Sequence, residues 1–297
     1  MSNLISYGVI SYDFYQLNYT QIIIKMNIKK IKIDKLYILV FFLMLGACNN
    51  QLEYKENSLI KYVDPFIGTG GHGHTFPGAS MPFGMMQLSP DTRLDGWDGC
   101  SGYHYSDDEI YGFSHTHLSG TGVSDYGDIL LMPTNQAILN NGANGEKGYK
   151  SKFSHKNEVA QPGYYKVHLE DTNIDVELTV SKRSGIHKYE YPSSKDQVLI
   201  LDLEHRDQLN DFNMSIVNDR EVKGFRHSKA WATNQFLFYH IKFSHPIKDS
   251  DRLYEVSPTK ESFEFINPNN EPVYVKIGIS AVDEIGAKQN LEQEIGK

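Results

Sequence analysis

Apolar and polar residues alternate with a period of two over Tyr165, Val167 and Leu169, and again over Ile174, Val176, Leu178 and Val180. Each stretch predicts a strand with one buried face. Val198 to Leu203 and Phe236 to Phe243 are apolar on both faces, as the central strands of a two-layer packing are. Val273, Val275, Ile277 and Ile279 give the last alternating strand, and turns such as Asn267-Pro268-Asn269-Asn270 fall at spacings that suit a meander or Greek-key sandwich. The predicted fold is mainly β, an antiparallel β-sandwich. Tyr62 to about Thr134 is instead dense in Gly, Pro, His, Asp and aromatics and predicts long loops. Asp283 to Lys297, rich in Glu, Gln, Lys and Ala, predicts a short C-terminal helix whose thin apolar side has little to bury. No internal repeat, coiled coil or low-complexity tract is found.

Ahead of all this, Lys29, Lys30, Lys32 and Lys35 flank an apolar run from Leu36 to Ala47, well short of the roughly 20 residues of a spanning helix. The order is that of a signal peptide. The run ends in Leu45-Gly46-Ala47-Cys48, which has the form of a lipobox and predicts cleavage before a lipid-modified Cys48. An ordinary buried helix would explain neither the lysines nor the polar Asn49-Asn50-Gln51 that follows. Met26 opens a complete leader, so residues 1–25 read as a spurious upstream extension, 26–47 as the lipoprotein signal peptide and 48–58 as a tether. The chain is therefore expected to be an exported bacterial lipoprotein of the outer membrane, on its periplasmic or outer side, attached to the membrane through lipid. With only two cysteines, Cys100 is then left without an intramolecular disulfide partner. A net charge of −8, with no Lys/Arg run among aromatics in the folded part, speaks against nucleic acid as a partner.

Candidate chemistry concentrates in three blocks: Asp64 to Thr92, Asp95 to Asp107 and Gly112 to Thr134. Gly68, Gly70, Gly71 and Gly73 crowd as in a phosphate-binding loop, but no Gly-Lys-Ser or Gly-Lys-Thr follows and no strand-loop-helix context surrounds them. His72 with His74, and His115 with His117, are spaced so that a strand would aim each pair to one face, as metal ligands are. In polar loops, however, histidines also bond neighbouring backbone or substrate. A sugar site is the third possibility. Trp97, Tyr103, Tyr105 and Phe113 offer flat faces for CH patches, while His74, Asp98, His115 and Asp125 offer partners for hydroxyls, on loops whose glycines admit close approach. The plain alternative is that these aromatics are core and the glycines turns.

The stretches DPFIGTGGHGHTFPGASMPFGMMQLSPDT, DGWDGCSGYHYSD and GFSHTHLSGTGVSDYGDILLMPT, followed in order by PGYYKVHLED and VYVKIGISAVDEIGAKQNLEQE, resemble the amino-terminal domain of glycoside hydrolase family 92. The resemblance runs from about Leu59 to the end. It implies calcium-dependent exo-α-mannosidases that invert configuration, with an amino-terminal β-sandwich joined by linker helices to a large (α/α)₆ barrel. It further implies that residues 59–282 are the sandwich and 283–297 the start of a linker helix. The general acid, general base and calcium ligands would belong to a barrel absent from this sequence, so no catalytic residue and no metal ligand is assigned. An inverting pair needs carboxyl groups roughly 6.5–9.5 Å apart; Asp91, Asp95, Asp98, Asp107, Asp108, Asp125 and Asp128 read more economically as groups that fix loops.

What the resemblance carries onto this chain is half a substrate pocket for an α-mannoside or N-glycan-type carbohydrate. Gly71, Gly73 and His74 are expected near the terminal mannose, Trp97, Asp98 and Cys100 to wall the pocket, and His115 and His117 to support these loops from behind. The family often has a second Trp where this chain has Gly99, which leaves the leaving-group preference open. Three functions compete: part of a truncated or split mannosidase completed by a separately encoded barrel, a free-standing mannoside-binding lipoprotein without catalysis, and a decayed remnant. Mass spectrometry of membrane fractions is expected to find a diacylated or triacylated amino-terminal peptide at Cys48; an unmodified peptide spanning Ala47-Cys48 would refute the anchor.

Overall fold

A computed structural model describes residues 59–248 and 258–296. The leader, the lipobox with Cys48 and the tether lie outside them. Among the described residues, sixteen strands and one α-helix follow in chain order. The first six are short: β1 Ala79–Ser80, β2 Gln87–Asp91, β3 Glu109–Ile110, β4 Gly112–Ser114, β5 Leu130–Thr134 and β6 Ser151–Lys152. Next come β7 Glu158–Gln161, β8 Tyr164–Leu169, β9 Ile174–Val180, β10 Ser184–Glu190 and β11 Val198–Asp202. The last are β12 Gln208–Asn218, β13 Glu221–Lys229, β14 Gln235–Phe243, β15 Lys260–Glu264 and β16 Val273–Ser280, before helix α1, Glu284–Ile295.

The strands form a six-stranded sheet in the order β1-β2-β4-β5-β11-β15, an eight-stranded sheet in the order β12-β13-β14-β16-β10-β9-β8-β7, and the small pair β3-β6. All pairings are antiparallel. The mainly β, sandwich-type fold expected from the alternation is the one observed. Its core holds the inward residues of both sheets, among them Val167, Val176, Leu201, Ile241 and Ile277. Every residue of β5 and β11 is buried, so both their faces are covered. Part of that cover comes from the connection between β5 and β6, where the Tyr149 hydroxyl donates to Asp202 Oδ2 at 2.6 Å.

Strands β12 and β13 were not predicted from the pattern. On β13 the inward positions are Val222, Gly224, Arg226 and Ser228, and on the edge strand β12 Met214 is the buried residue. Backbone pairing to β14, from Glu221↔Lys242 to Ser228↔Gln235, holds β13 in the sheet despite that polarity. The loops between Tyr62 and Thr134 also contain more strand than predicted, because β2, β4 and β5 extend the six-stranded sheet three to five residues at a time.

The helix has the thin apolar side expected of it, with Ala287 and Leu291 its buried residues, and it docks on the sheet nonetheless. Asp283 caps it, its Oδ1 accepting from Gly286 N at 2.6 Å. Ala287 and Leu291 are fully buried against β16. Gly278 makes this possible: a Cβ there would stand 2.3 Å from Ala287 O and 2.6 Å from Leu291 Cβ. Glu294 then accepts from Ser181 Oγ, Arg183 N and Arg183 Nε, and Asn290 Nδ2 donates to Ile279 O. Two small apolar contacts and a polar fringe suffice because the sheet surface beneath is a glycine.

Between the sheets lies a histidine pair. His115 Nδ1 donates to Ile129 O at 2.6 Å, and the Nε2 atoms of His115 and His187 are 2.9 Å apart. The Tyr189 hydroxyl is 2.8 Å from His187 Nδ1. One proton pattern satisfies the chain: Tyr189 O–H donates to His187 Nδ1, and His187 Nε2–H donates to His115 Nε2, leaving both rings neutral. Burial drives the His115 pKa down to about 4 and that of His187 well below its ordinary value, with His115 adding to the second shift.

Gly278→Leu should lift α1 from the sheet and cost about 1–3 kcal/mol of stability, read as lost amide protection in α1 while β16 stays protected. The histidine pair predicts acid lability. The unfolded histidines bind protons near pH 6.5 whereas the folded ones resist, so stability should fall as pH drops from about 6.5 to about 4. Urea midpoints across that range should show it, and the double variant His115→Phe, His187→Phe should flatten the slope even though it is less stable at pH 7.

Candidate functional site

The glycine loop after Ile67 closes on itself, Thr75 N donating to Gly68 O at 3.2 Å and Gly73 N to Gly70 O at 3.0 Å. Gly71 has φ +60°, and a Cβ on Gly73 would lie 1.9 Å from Gly68 O. Both positions therefore require glycine for conformation or space. The loop joins its neighbours through backbone: Gly99 N donates to Gly73 O at 3.4 Å and Gly120 N to His74 O at 2.6 Å. His104 Nε2 adds a bond to Gly71 O at 2.9 Å, and Ser101 Oγ one to Thr75 O at 2.8 Å. The three sequence blocks are thus brought together as one loop surface.

On that surface Trp97 is 63 % exposed. Its indole meets the His74 ring edge to face, with centroids 4.9 Å apart and planes at 86°. Both rings rest over Gly122, where a Cβ would come 2.6 Å from Trp97 Cη2 and 2.9 Å from His74 Cε1. Asp98 sits beside them and takes a 2.8 Å bond from His72 Nδ1, which holds its carboxyl below the ordinary value. A bare indole face with an imidazole and a carboxylate at its rim can stack on a CH face and bond hydroxyls.

The other expected residues stand deeper. The side chain of Cys100 is buried, and burial pushes its thiol pKa up; its backbone carbonyl accepts from Arg206 Nη2. His115 belongs to the core pair. His117 is buried beneath the loops, its Nδ1 donating to Gln87 O at 2.7 Å and its Nε2 lying 3.2 Å from Asp91 Oδ1. The histidine pairs therefore do not converge, and among the described residues no three His, Cys, Asp or Glu side chains form a metal cage. Gly99 has φ +70°, and a Cβ there would lie 2.8 Å from His104 Cβ, so the position has no room for a larger side chain without a shift.

Below the loop surface is a charged layer in which Asp91, Asp128 and His117, named from the sequence, meet His205, Arg206, Asp207 and Arg226, which were not. Asp91 is fully buried between His117 and His205, whose Nε2 atoms stand 3.2 and 3.1 Å from its oxygens. Burial opposes its ionisation, but the facing histidines and their hydrogen bonds hold the carboxyl well below its ordinary range. Arg226, with no exposed surface, pairs with Asp128 and donates to the carbonyls of Leu203, His205 and Asp207. Asp128 also accepts from Thr116 Oγ1 and Gln235 Nε2. Asp207 accepts from Tyr126 N at 2.8 Å; burial pushes its pKa up to about 7 against the pull of Arg226, with Asp128 and Asp125 adding to the rise. The signal for this layer was slight: a polar His205-Arg206-Asp207 directly after an apolar strand reads as an ordinary turn.

A cleft of about 700 Å³ opens beside the loops, with Met85, Thr116, Leu118, Tyr126, Asp128 and Gln235 among its walls. Of the residues expected from the sequence, His117 lines it, and Trp97 and His74 do not.

Comparison with known proteins gives these features a family. The Glycosyl hydrolase family 92 N-terminal domain matches residues 62–280. An uncharacterized secreted glycosidase of Arthroderma benhamiae is 32% identical over 164 residues, 50% of this chain and 20% of that protein. A family GH92 α-mannosidase of Bacteroides thetaiotaomicron, solved in complex with mannoimidazole, matches with a TM-score of 0.71 at 33% identity, over 80% of this chain and 34% of its own. A further GH92 family glycosyl hydrolase matches with a TM-score of 0.70 at 26% identity, over 81% of this chain and 35% of its own. The chain spans about a third of the length of these solved structures. With the sandwich, the loop motifs and a match across most of the sequence in agreement, the chain belongs to the glycosyl hydrolase family 92 N-terminal domain family.

Proposed function

We propose that this chain is the carbohydrate-contacting amino-terminal domain of a family 92 α-mannosidase, presenting one side of a pocket for a terminal α-mannosyl residue. The observation that carries the proposal is the exposed Trp97 held edge-on by His74 over Gly122. Trp97 would stack on the sugar, while His74 and Asp98 bond its hydroxyls and the backbone of Gly71 and Gly73 approaches it. The mannoimidazole bound to the Bacteroides thetaiotaomicron relative supports a mannoside as the ligand class. Proton transfer and water activation fall to groups outside this chain. The carboxylates beneath the loops are engaged by Arg226, His117, His205 and backbone amides, which favours a supporting role for them.

The word secreted in the name of the Arthroderma benhamiae relative supports export, and the lipobox supports an anchor at the outer membrane. Helix α1, docked on β16, would be the first turns of a connection to a catalytic barrel, in the same polypeptide or a separate one.

Half a pocket desolvates one side of a sugar, so mannobiose should bind with a dissociation constant in the millimolar range, about −4 kcal/mol. A calorimetric or NMR titration should show this, with Trp97→Ala and His74→Ala each abolishing it. Weak binding unaltered by both substitutions, or none in the wild type, would refute the site. Micromolar binding lost in either variant would establish the free-standing lectin instead. Purified chain with calcium should be inert toward an activated aryl α-mannoside, and turnover lost on Asp98→Asn would place a catalytic carboxylate here after all.

A further inference from the structure

Arg206 is the least ordinary residue near the loops. It has φ +65°, a left-handed conformation rare outside glycine, and its side chain is 2% exposed. One nitrogen, Nη2, donates both to Cys100 O in the Trp97 loop and to Ser124 Oγ in the loop that carries Gly122. The other, Nη1, faces Asp91 Oδ1 at 3.7 Å. Two glycines leave the space it occupies: a Cβ on Gly127 would lie 2.7 Å from Arg206 Cδ, and one on Gly102 would lie 2.8 Å from Nη1.

The flanking residues fix its direction. His205 Nε2 is 3.1 Å from Asp91 Oδ2, and Asp207 accepts from Tyr126 N at 2.8 Å. Arg226 Nη2 takes the carbonyls of both neighbours, at 3.0 and 3.1 Å. With the backbone held on either side, the guanidinium points between the two loops. Cys100 N in turn donates to Trp97 O at 3.3 Å, closing the turn that carries the indole. Gly122, the surface on which the indole rests, lies near Ser124 in the same loop.

We propose that Arg206 is a positioning residue for the carbohydrate face: it joins the turn bearing Trp97 to the loop beneath it and so sets the direction in which the indole is presented to a sugar ring. The role rests on reading Trp97 and His74 as that face, and Arg206 itself touches no ligand. The guanidinium bonds both acceptors through Nη2 while Nη1 faces the Asp91 carboxylate, a geometry that the point charge of lysine does not reproduce. Ser124→Ala removes one of the two acceptors and should act in the same direction, more mildly.

The test is fluorine NMR on the full-length chain carrying 5-fluorotryptophan, with the Trp97 signal identified by its loss in Trp97→Phe. Methyl-labelled Met132 and Met214, both buried in strands, report on the rest of the sandwich. Arg206→Lys and Arg206→Gln should shift or broaden the Trp97 resonance, leave both methionine signals in place, and weaken mannobiose binding at least tenfold. An unmoved Trp97 resonance in both variants would overturn the proposal, and so would methionine signals that move with it, since Arg206 would then be a general scaffold residue. If the wild type binds no mannobiose, the carbohydrate reading fails while the Trp97 resonance still decides the role of Arg206.

Discussion

A guanidinium sealed from water must find a partner for its charge and its donors, or the fold does not hold. Arg226 meets that demand at the end of the sandwich where the loops gather. It projects from β13 of the eight-stranded sheet and takes the carbonyls of Leu203, His205 and Asp207, which follow β11 of the six-stranded sheet, together with the Asp128 carboxylate. The two sheets are thereby joined by directed bonds as well as by apolar contact. Asp128 passes the constraint on to Thr116 and Gln235, and Asp207 passes it on to Tyr126.

Much of the loop surface follows from this join. Loops long enough to move freely are tied at their roots to a buried charged layer, and their tips are tied to one another by backbone bonds. Trp97 can then remain exposed without collapsing into the core, since its supports are a glycine surface and the edge of an imidazole. A buried polar layer of this kind contributes less to net stability than an apolar one of equal volume would, because every charge must be desolvated. Its physical advantage is direction, since hydrogen bonds hold loops at angles that apolar contacts do not specify.

Family membership adds a frame but not a mechanism. The sandwich is a common architecture, and activity resides in the groups placed on it. Here those groups are an exposed indole, an imidazole against it and internally paired polar residues. The carboxylates nearest that face are committed to arginine, histidine and backbone donors, and Asp98 alone of those named stands at the rim of the indole, bonded to His72.

The sequence by itself determined the apolar strands, since a period of two on Tyr165 to Val180 and Val273 to Ile279 leaves each of them one way to face a core. It also determined which loops are chemically rich, and through its motifs the family. The structure decided the rest. Residues β13 turns inward, Gly224, Arg226 and Ser228, have no hydrophobic pattern, and only pairing with β14 puts them there. Likewise nothing local distinguishes Gly278 from any strand glycine until α1 packs on it. The alternate histidines show the limit most clearly: His115 and His117 share a motif, yet one bonds His187 on the other sheet and the other approaches Asp91. Their partners are 72 and 26 residues away along the chain, and such long-range contacts exist only once both sheets have closed around them.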